Sequence, residues 1–316
     1  LKPGWESFVG AGPMPMRHGM TMGELGLWFI DQFKLDVDYR VVEMQGWAPE
    51  AGPGFGWPLL DRSWVNPSPN APNLSMARAY AGTVMLEGAT LSEGRGTTRP
   101  LELFGAPDLD ARAVIAEMQA LAPDWLGGCI LRDMWFEPTF HKHVGKLCSG
   151  VQIHVDHPGY HHAAFKPWRV QALGFKAIRG LYPDYDLWRD FPYEYAFGKL
   201  PIDVINGGPG LREWVDDAGA TPGDLDAATQ PDEAAWDEAR RPVLLDGSLP
   251  KVRHQGAIMS RSDCGGGLDW IDFCCCAADV SGAGRTERRS QSLGCAGGRG
   301  DRCRKGASGR PAAGDL

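Results

Sequence analysis

The chain has 316 residues, 43% of them hydrophobic and 23% charged, the make-up of an ordinary globular protein long enough to bury a core in one large domain or two smaller ones. A formal charge of −8 argues against a nucleic-acid surface, leaves small substrates open, and goes with no apolar run long enough to cross a bilayer. The sequence begins at Leu1 without a methionine and falls at once into what reads as mid-domain sequence, so the natural start is expected upstream and the absence of a signal peptide says nothing about location.

Residues 1–15 are rich in Pro and Gly and form a connecting segment. Thr21 followed three residues later by Glu24 is a capping box, and Leu25, Leu27, Trp28, Phe29 and Phe33 give the ensuing helix an apolar face. Arg17 and His18 gather with free backbone N–H groups at its positive end, a seat for an anion; the alternative is that His18 only completes the cap. Val37, Tyr39 and Val41 alternate and predict a strand. Residues 48–72 form a long loop whose aromatics (Trp57 and Trp64, with Trp47 just before) and polar groups (Ser68, Asn70) suit a sugar, though they equally suit a loop packed on its own tryptophans.

A short helix over 75–80 leads into apolar residues 83–86, read as a strand running out into a glycine-rich turn over 86–100. Gly94 and Gly96 permit backbone conformations closed to other residues. Around them stand Glu87, Glu93, Arg95, Ser92, Thr97 and Thr98, a compact set of acid, cation and hydroxyl groups where α/β proteins place their sites. A structural turn with a surface Arg–Glu pair is the competing reading. Beyond it the pattern predicts a helix over 108–122, strands over 129–136 and 150–155, a helix over 166–181, further elements over 202–205 and 211–217, and a final helix over 232–241. Helices and strands alternate, so the class is α/β or a closely mixed α+β.

Six histidines lie between positions 141 and 162 with Cys148 and Asp156. His141 and His143 on a strand would point to one face, yet no metal-binding spacing appears and no metal or other cofactor is expected. No Gly-x-Ser-x-Gly elbow or dinucleotide fingerprint is present.

Taken in order, Arg17-His18-Gly19-Met20-Thr21-Met22-Gly23-Glu24-Leu25, Pro67-Ser68-Pro69-Asn70, Leu86-Glu87-Gly88, Ser92-Glu93-Gly94-Arg95-Gly96-Thr97-Thr98, Phe104-Gly105-Ala106-Pro107, Pro138-Thr139-Phe140, Lys142-His143, Cys148-Ser149-Gly150-Val151-Gln152-Ile153-His154 and Pro192-Tyr193-Glu194 resemble the bacterial exo-β-N-acetylmuramidases, a glycoside hydrolase family. The resemblance implies release of terminal N-acetylmuramic acid from the non-reducing end of peptidoglycan fragments, in cell-wall turnover, in a periplasmic or secreted setting. It also implies an α/β fold: a remnant of a Rossmann-like N-terminal domain (residues 1–35) plus a smaller mixed α/β C-terminal domain (36–246), with the site in the cleft between. The family's Pro-Glu-His-Gly segment is absent, and Ala89-Thr90 and Asp108 depart from its pattern.

Glycoside hydrolysis generally needs one carboxyl as acid and a second as base or nucleophile. Glu93 is the catalytic candidate, unless the missing segment supplies the general acid and Glu93 orients. Arg95 either lowers the Glu93 pKa or holds the lactyl carboxylate of muramic acid, for which Arg17 is the other candidate. His18 and His154 are expected at hydroxyl or acetamido groups, and Ser68, Asn70, Glu87, Ser92, Thr97 and Glu194 complete the substrate-binding set. A truncated, inactive fragment or a sugar-binding pseudoenzyme is the second reading.

The character of the chain changes near residue 250. From Lys251 onward there are eleven Lys and Arg against seven Asp and Glu, leaving 21 against 33 in the preceding 250 residues. Six of the eight cysteines also fall there, including three in a row (Cys274, Cys275, Cys276), which matches neither zinc spacing nor a usual disulfide framework. Residues 247–316 are therefore expected to be a disordered basic tail or, the preferred reading, the product of a frameshift in GC-rich DNA. Resequencing the gene is expected to reveal the shift; an intact frame through codon 316 would exclude it.

Overall fold

The computed structural model describes residues 1–43 and 63–245. The expectations for Trp47 and Trp57, and for the tail over 247–316, lie outside them. Among the described residues the fold is mixed α/β: seven helices with three short 3-10 turns and one small antiparallel sheet.

Helix α1 (Met22–Phe33) begins as its capping box predicts, with Glu24 Oε2 accepting from the Thr21 N–H at 2.7 Å. It closes at Lys34, which takes the left-handed conformation at φ 51°. Its buried Trp28 packs edge-on against Trp236 at 5.3 Å. The strand expected over 37–41 is not formed. Tyr39 and Val41 fold back instead onto the bare backbone at Gly26 and Gly23 of α1, and the Tyr39 hydroxyl donates to the Met22 carbonyl.

Helix α2 (Leu74–Thr83) is capped by Asn73, whose Oδ1 accepts from the Met76 N–H at 2.8 Å. The apolar run that follows is a single 3-10 turn (Val84–Gly88) rather than the expected strand. So short an apolar run has no period of its own, and the alanine-rich helix before it sets the local geometry. Strand β1 (Leu103–Ala106) follows, then α3 (Ala111–Leu121), capped by Asp110. Strands β2 (Ile130–Phe136) and β3 (Cys148–His154) complete the sheet in the order β1-β3-β2, with Gly105 opposite Gly150 and Val151 opposite Asp133.

Strand alternation gives the sheet two working faces. Phe104, Val151 and Ile153 face the core with α3 and helix α4 (Pro167–Leu181), whose residues 169–178 are buried throughout. Gly174 leaves room there for the Phe104 ring. On the other face Leu103 lies beneath Gly94, so the glycine loop roofs the sheet opposite α4. The Ser92–Gly105 bridge fixes the loop to the free edge of β1.

Helix α5 (Pro201–Asn206) seats Ile202 on Gly88, and α6 (Gly210–Asp216) follows. Helix α7 (Pro222–Arg240) starts ten residues before the expected position, at a Thr221–Asp224 capping box, and carries Pro231 within it. That proline reads as a helix break in sequence. The buried Arg169 offsets it by binding three side chains along α7: Asp226 at 2.7 Å, Glu233 at 2.6 Å and Thr229 at 3.1 Å.

The crossing of α2 on α4 offers a test. A Cβ at Gly82 would stand 2.0 Å from the Pro167 carbonyl oxygen, a backbone atom with no freedom to rotate away. Gly82→Ala gains about 1 kcal/mol in helix propensity, but overpacking of this kind costs about 1–3 kcal/mol. The contact is with backbone, so the clash is expected to dominate, and urea denaturation should find the variant less stable than the parent.

Candidate functional site

Glycine geometry shapes the loop carrying Glu93. Gly94 and Gly96 take φ of 69° and 78°, as the sequence pattern requires. The Ser92 hydroxyl accepts from the Gly94 N–H at 3.1 Å, and the Thr97 hydroxyl donates to the Gly94 carbonyl at 2.7 Å. Both candidates thus hold the turn. The turn drives Glu93 wholly into the interior, at 0% exposure.

A carboxylate so placed needs cations, since an isolated buried charge costs many kcal/mol. Arg95 Nε donates to Glu93 Oε1 at 2.8 Å, and its Nη2 donates to Glu87 Oε1 at 2.8 Å. Lys142 Nζ stands 2.8 Å from Glu93 Oε2, off the direction of a good hydrogen bond; its protons go to the carbonyls of Leu86 and Ala89. His141 Nδ1 approaches Glu93 Oε1 at 3.5 Å from a side chain 42% exposed. Glu87 in turn accepts from the Tyr193 hydroxyl at 2.7 Å.

Four segments therefore meet through charge: the 3-10 turn, the glycine loop, the β2–β3 connection and the turn at 193–196. His141 and His143 lie in that connection, between the strands as the sequence pattern places them, with φ of 69° and 56°. His143 bonds the Thr90 carbonyl while His141 turns to Glu93. The 193–196 turn closes by paired backbone bonds between Tyr193 and Ala196, with Glu194 and Tyr195 both at positive φ.

The environments separate two carboxyls of this region, Glu93 and Glu194. Burial works to raise Glu93, but Lys142, then His141 and Arg95, outweigh it and hold the carboxyl well below its usual range. It stays ionised and is no proton donor. Burial first, and the Glu87 charge second, raise Glu194 at the rim. Two carboxyls with proton affinities pushed apart are the arrangement that acid–base work requires.

The remaining candidates fall elsewhere. Arg17 donates to the carbonyls of Phe165 and His162, so its guanidinium holds the 162–165 turn. His18 Nδ1 accepts from the Met20 N–H, and its carbonyl accepts from Trp236. Ser68 and Asn70 share the turn ahead of α2. His154, half-buried at the end of β3, bonds Asp156 at 3.2 Å, and a chain of contacts through Arg99 and the buried Glu102 continues to Asn73. Among the described residues no group of three His, Cys, Asp or Glu is placed to hold a metal ion.

Lys142 and Tyr193 were absent from the sequence-derived set. Both lie inside motifs noted above, but nothing local marks a lysine or tyrosine as the partner of a carboxylate distant in the chain.

A family model described as "Exo-beta-N-acetylmuramidase NamZ, C-terminal" matches residues 78–245, and its "N-terminal" counterpart matches 1–75. The chain belongs to the exo-beta-N-acetylmuramidase NamZ family. It is 38% identical over 184 residues to a Bacillus subtilis (strain 168) protein named peptidoglycan beta-N-acetylmuramidase NamZ, an alignment covering 58% of this chain and 42% of that one. Two crystal structures of DUF1343 family proteins from Bacteroides fragilis NCTC 9343 share its fold, each at 22% identity over 78% of this chain. Their TM-scores are 0.62 and 0.53, over 61% and 60% of their own lengths. The chain thus spans less than half the length of this NamZ relative and about three-fifths of the solved structures.

The buried ion pair yields a pH prediction. Glu93 has a lower pKa folded than unfolded, so its stabilisation is complete above the ordinary glutamate value of about 4.3 and fades as pH falls through the native value. Urea titrations at stepped pH should show the parent more stable than Glu93→Gln at neutrality, with the gap narrowing below about pH 4.3. Lys142→Met, which leaves the carboxylate with Arg95 and His141 alone, is expected to cost about 3 kcal/mol at pH 7.

Proposed function

We propose that this chain is part of a glycosidase that releases terminal N-acetylmuramic acid from the non-reducing end of peptidoglycan fragments. The observation that carries the reading is membership of the NamZ family, with 38% identity to a peptidoglycan beta-N-acetylmuramidase. Carboxyl chemistry supports it. Hydrolysis of a glycosidic bond needs a group that keeps its proton until the leaving oxygen takes it, and Glu194, raised by burial and by Glu87, suits that role.

Glu93 serves as a fixed charge in this reading. Its ionised carboxylate anchors Arg95, Arg95 anchors Glu87, and Glu87 both holds Tyr193 and raises Glu194. His154, oriented by Asp156, offers its other ring nitrogen to a sugar hydroxyl or acetamido group. Ser92 and Thr97 hold the loop that carries Glu93, Arg17 and His18 make structural contacts away from it, and none of the four is assigned to the sugar. We further propose a periplasmic or secreted location, where the peptidoglycan substrate lies.

A second reading has its own support: the Glu93 carboxylate has no solvent exposure. Sugar binding without turnover would follow. A chromogenic N-acetyl-β-muramide separates the two. Release of the chromophore, cut at least a hundredfold in kcat by Glu194→Gln, is the expected outcome; binding of the free sugar without release favours the second reading, and neither binding nor release overturns both.

A further inference from the structure

The small sheet has one covered edge and one open edge. The Ser92–Gly105 bridge occupies the outer side of β1, whereas among the described residues no strand pairs with the outer side of β2. Edge strands are normally guarded by brevity, by a proline or by an outward charge. Strand β2 (Ile130–Phe136) has seven residues and no proline. Its two charges are engaged within the chain: Arg132 Nη2 donates to Gln152 Oε1 at 3.0 Å, and Arg112 Nε donates to Asp133 Oδ2 at 2.9 Å. Near the two ends of the strand, Ile130 and Trp135 are 51% and 63% exposed.

Register decides what such an edge fits. Two copies paired antiparallel, edge to edge, are related by a two-fold axis perpendicular to the sheet, which keeps every residue on its own face. The pairing must then centre on a residue rather than between two. Asp133 lies opposite the core-facing Val151, so Leu131, Asp133 and Trp135 share the α3 side. With the axis at Asp133, Leu131 meets the partner's Trp135 and Ile130 meets the partner's Phe136, aliphatic–aromatic pairs of the kind that stabilise sheets. Arg132 meets the partner's Met134 and can lay its stem along it. An axis at Arg132 would instead oppose two guanidiniums, and an axis at Met134 would set Asp133 against the partner's Trp135.

Two Asp133 carboxylates facing each other at the axis would repel. Arg112 removes that objection. It binds Asp133 through Nε and its side chain is 83% exposed, so its terminal nitrogens are open to the partner's carboxylate. The axis then carries two carboxylates and two guanidiniums. A cavity of about 510 Å³, lined by Leu109, Arg112, Asp133 and Trp135 among others, separates this edge from the start of α3 and leaves the helix clear of an incoming strand.

We propose that the chain self-associates by antiparallel pairing of β2 with β2 of a second copy, centred on Asp133, joining the two three-stranded sheets into one. Strand β2 leads into the connection that carries Lys142, so the pairing steadies the segment that reaches Glu93.

Sedimentation velocity of the full chain under reducing conditions, across a wide concentration range, tests this with Trp135→Glu, Asp133→Lys and, as a control off the sheet, Phe197→Glu. The expected result is a reversible dimer of the parent, weakened at least tenfold by Trp135→Glu and by Asp133→Lys and unchanged by Phe197→Glu. Hydrogen exchange of the parent is expected to show residues 130–136 increasingly protected as concentration rises, a readout that needs no variant to fold. A parent that stays monomeric overturns the proposal. So does a dimer that a folded Asp133→Lys leaves intact, or one without concentration-dependent protection of β2. Equal weakening by Phe197→Glu, or growth beyond a dimer, also overturns it, because either places the contact on another face.

Discussion

A carboxylate taken fully out of water must find compensating charge, and in this fold that requirement falls on Glu93. Its cations come from two places: Arg95 from its own loop and Lys142 from the β2–β3 connection. Arg95 extends the pairing to Glu87, and Glu87 extends it to Tyr193. Several irregular segments, none with a long helix or strand to steady it, are therefore set against one another by charge. The strained residues of this region lie on those segments: Leu101 on the glycine loop, His141 and His143 beside Lys142, Glu194 and Tyr195 beside Tyr193. Positive φ at these five non-glycine residues would be a liability in free loops. Fixed at neighbouring positions by buried ionic contacts, it becomes a way of aiming side chains.

The same arrangement divides the chemical work. An interior carboxylate surrounded by cations is a poor acid and, without solvent contact, a poor nucleophile. Its usefulness lies in what it makes its neighbours do. Through Arg95 it holds Glu87 close to Glu194, and the Glu87 charge helps raise the Glu194 carboxyl. In the proposed reaction Glu194 is the proton donor, and its carboxyl is raised in part through contacts that start at the buried Glu93, in line with the general rule that environment rather than residue type assigns acid and base.

Much of this was readable before any coordinates. The start of α1 was legible because capping is local, Thr21 with Glu24, and α3 was legible from its amphipathic run. Gly94 and Gly96 marked a turn because only glycine adopts those angles cheaply. The failures share a cause. Helix α7 runs through Pro231 because Arg169, far away in sequence, binds its side chains on both sides of the proline. The 83–86 segment and the 37–41 segment look like strands alone and are shaped by what they pack on. Within the site, Glu93 and Arg95 announce themselves by proximity, whereas Tyr193 meets Glu87 across a separation of 106 residues and Lys142 reaches Glu93 only once the sheet has formed. Long-range pairing leaves no local trace.

The loop over 92–102 shows why a short stretch can organise so much. It carries a fully buried acid near each end, Glu93 and Glu102, and an arginine of its own for each, Arg95 and Arg99. Its charges are thus partly neutralised by residues that arrive with it, which lowers the cost of burying them against the sheet. What remains comes from outside, and it differs at the two ends: Lys142 and the β2–β3 connection for Glu93, Asn73 at the start of α2 for Glu102. Glu194 is reached through the first set of contacts, and His154 through Asp156 and Arg99 in the second. Glu194 on its turn and His154 at the end of β3 are thereby referenced to a single loop, and a displacement of that loop would disturb both together.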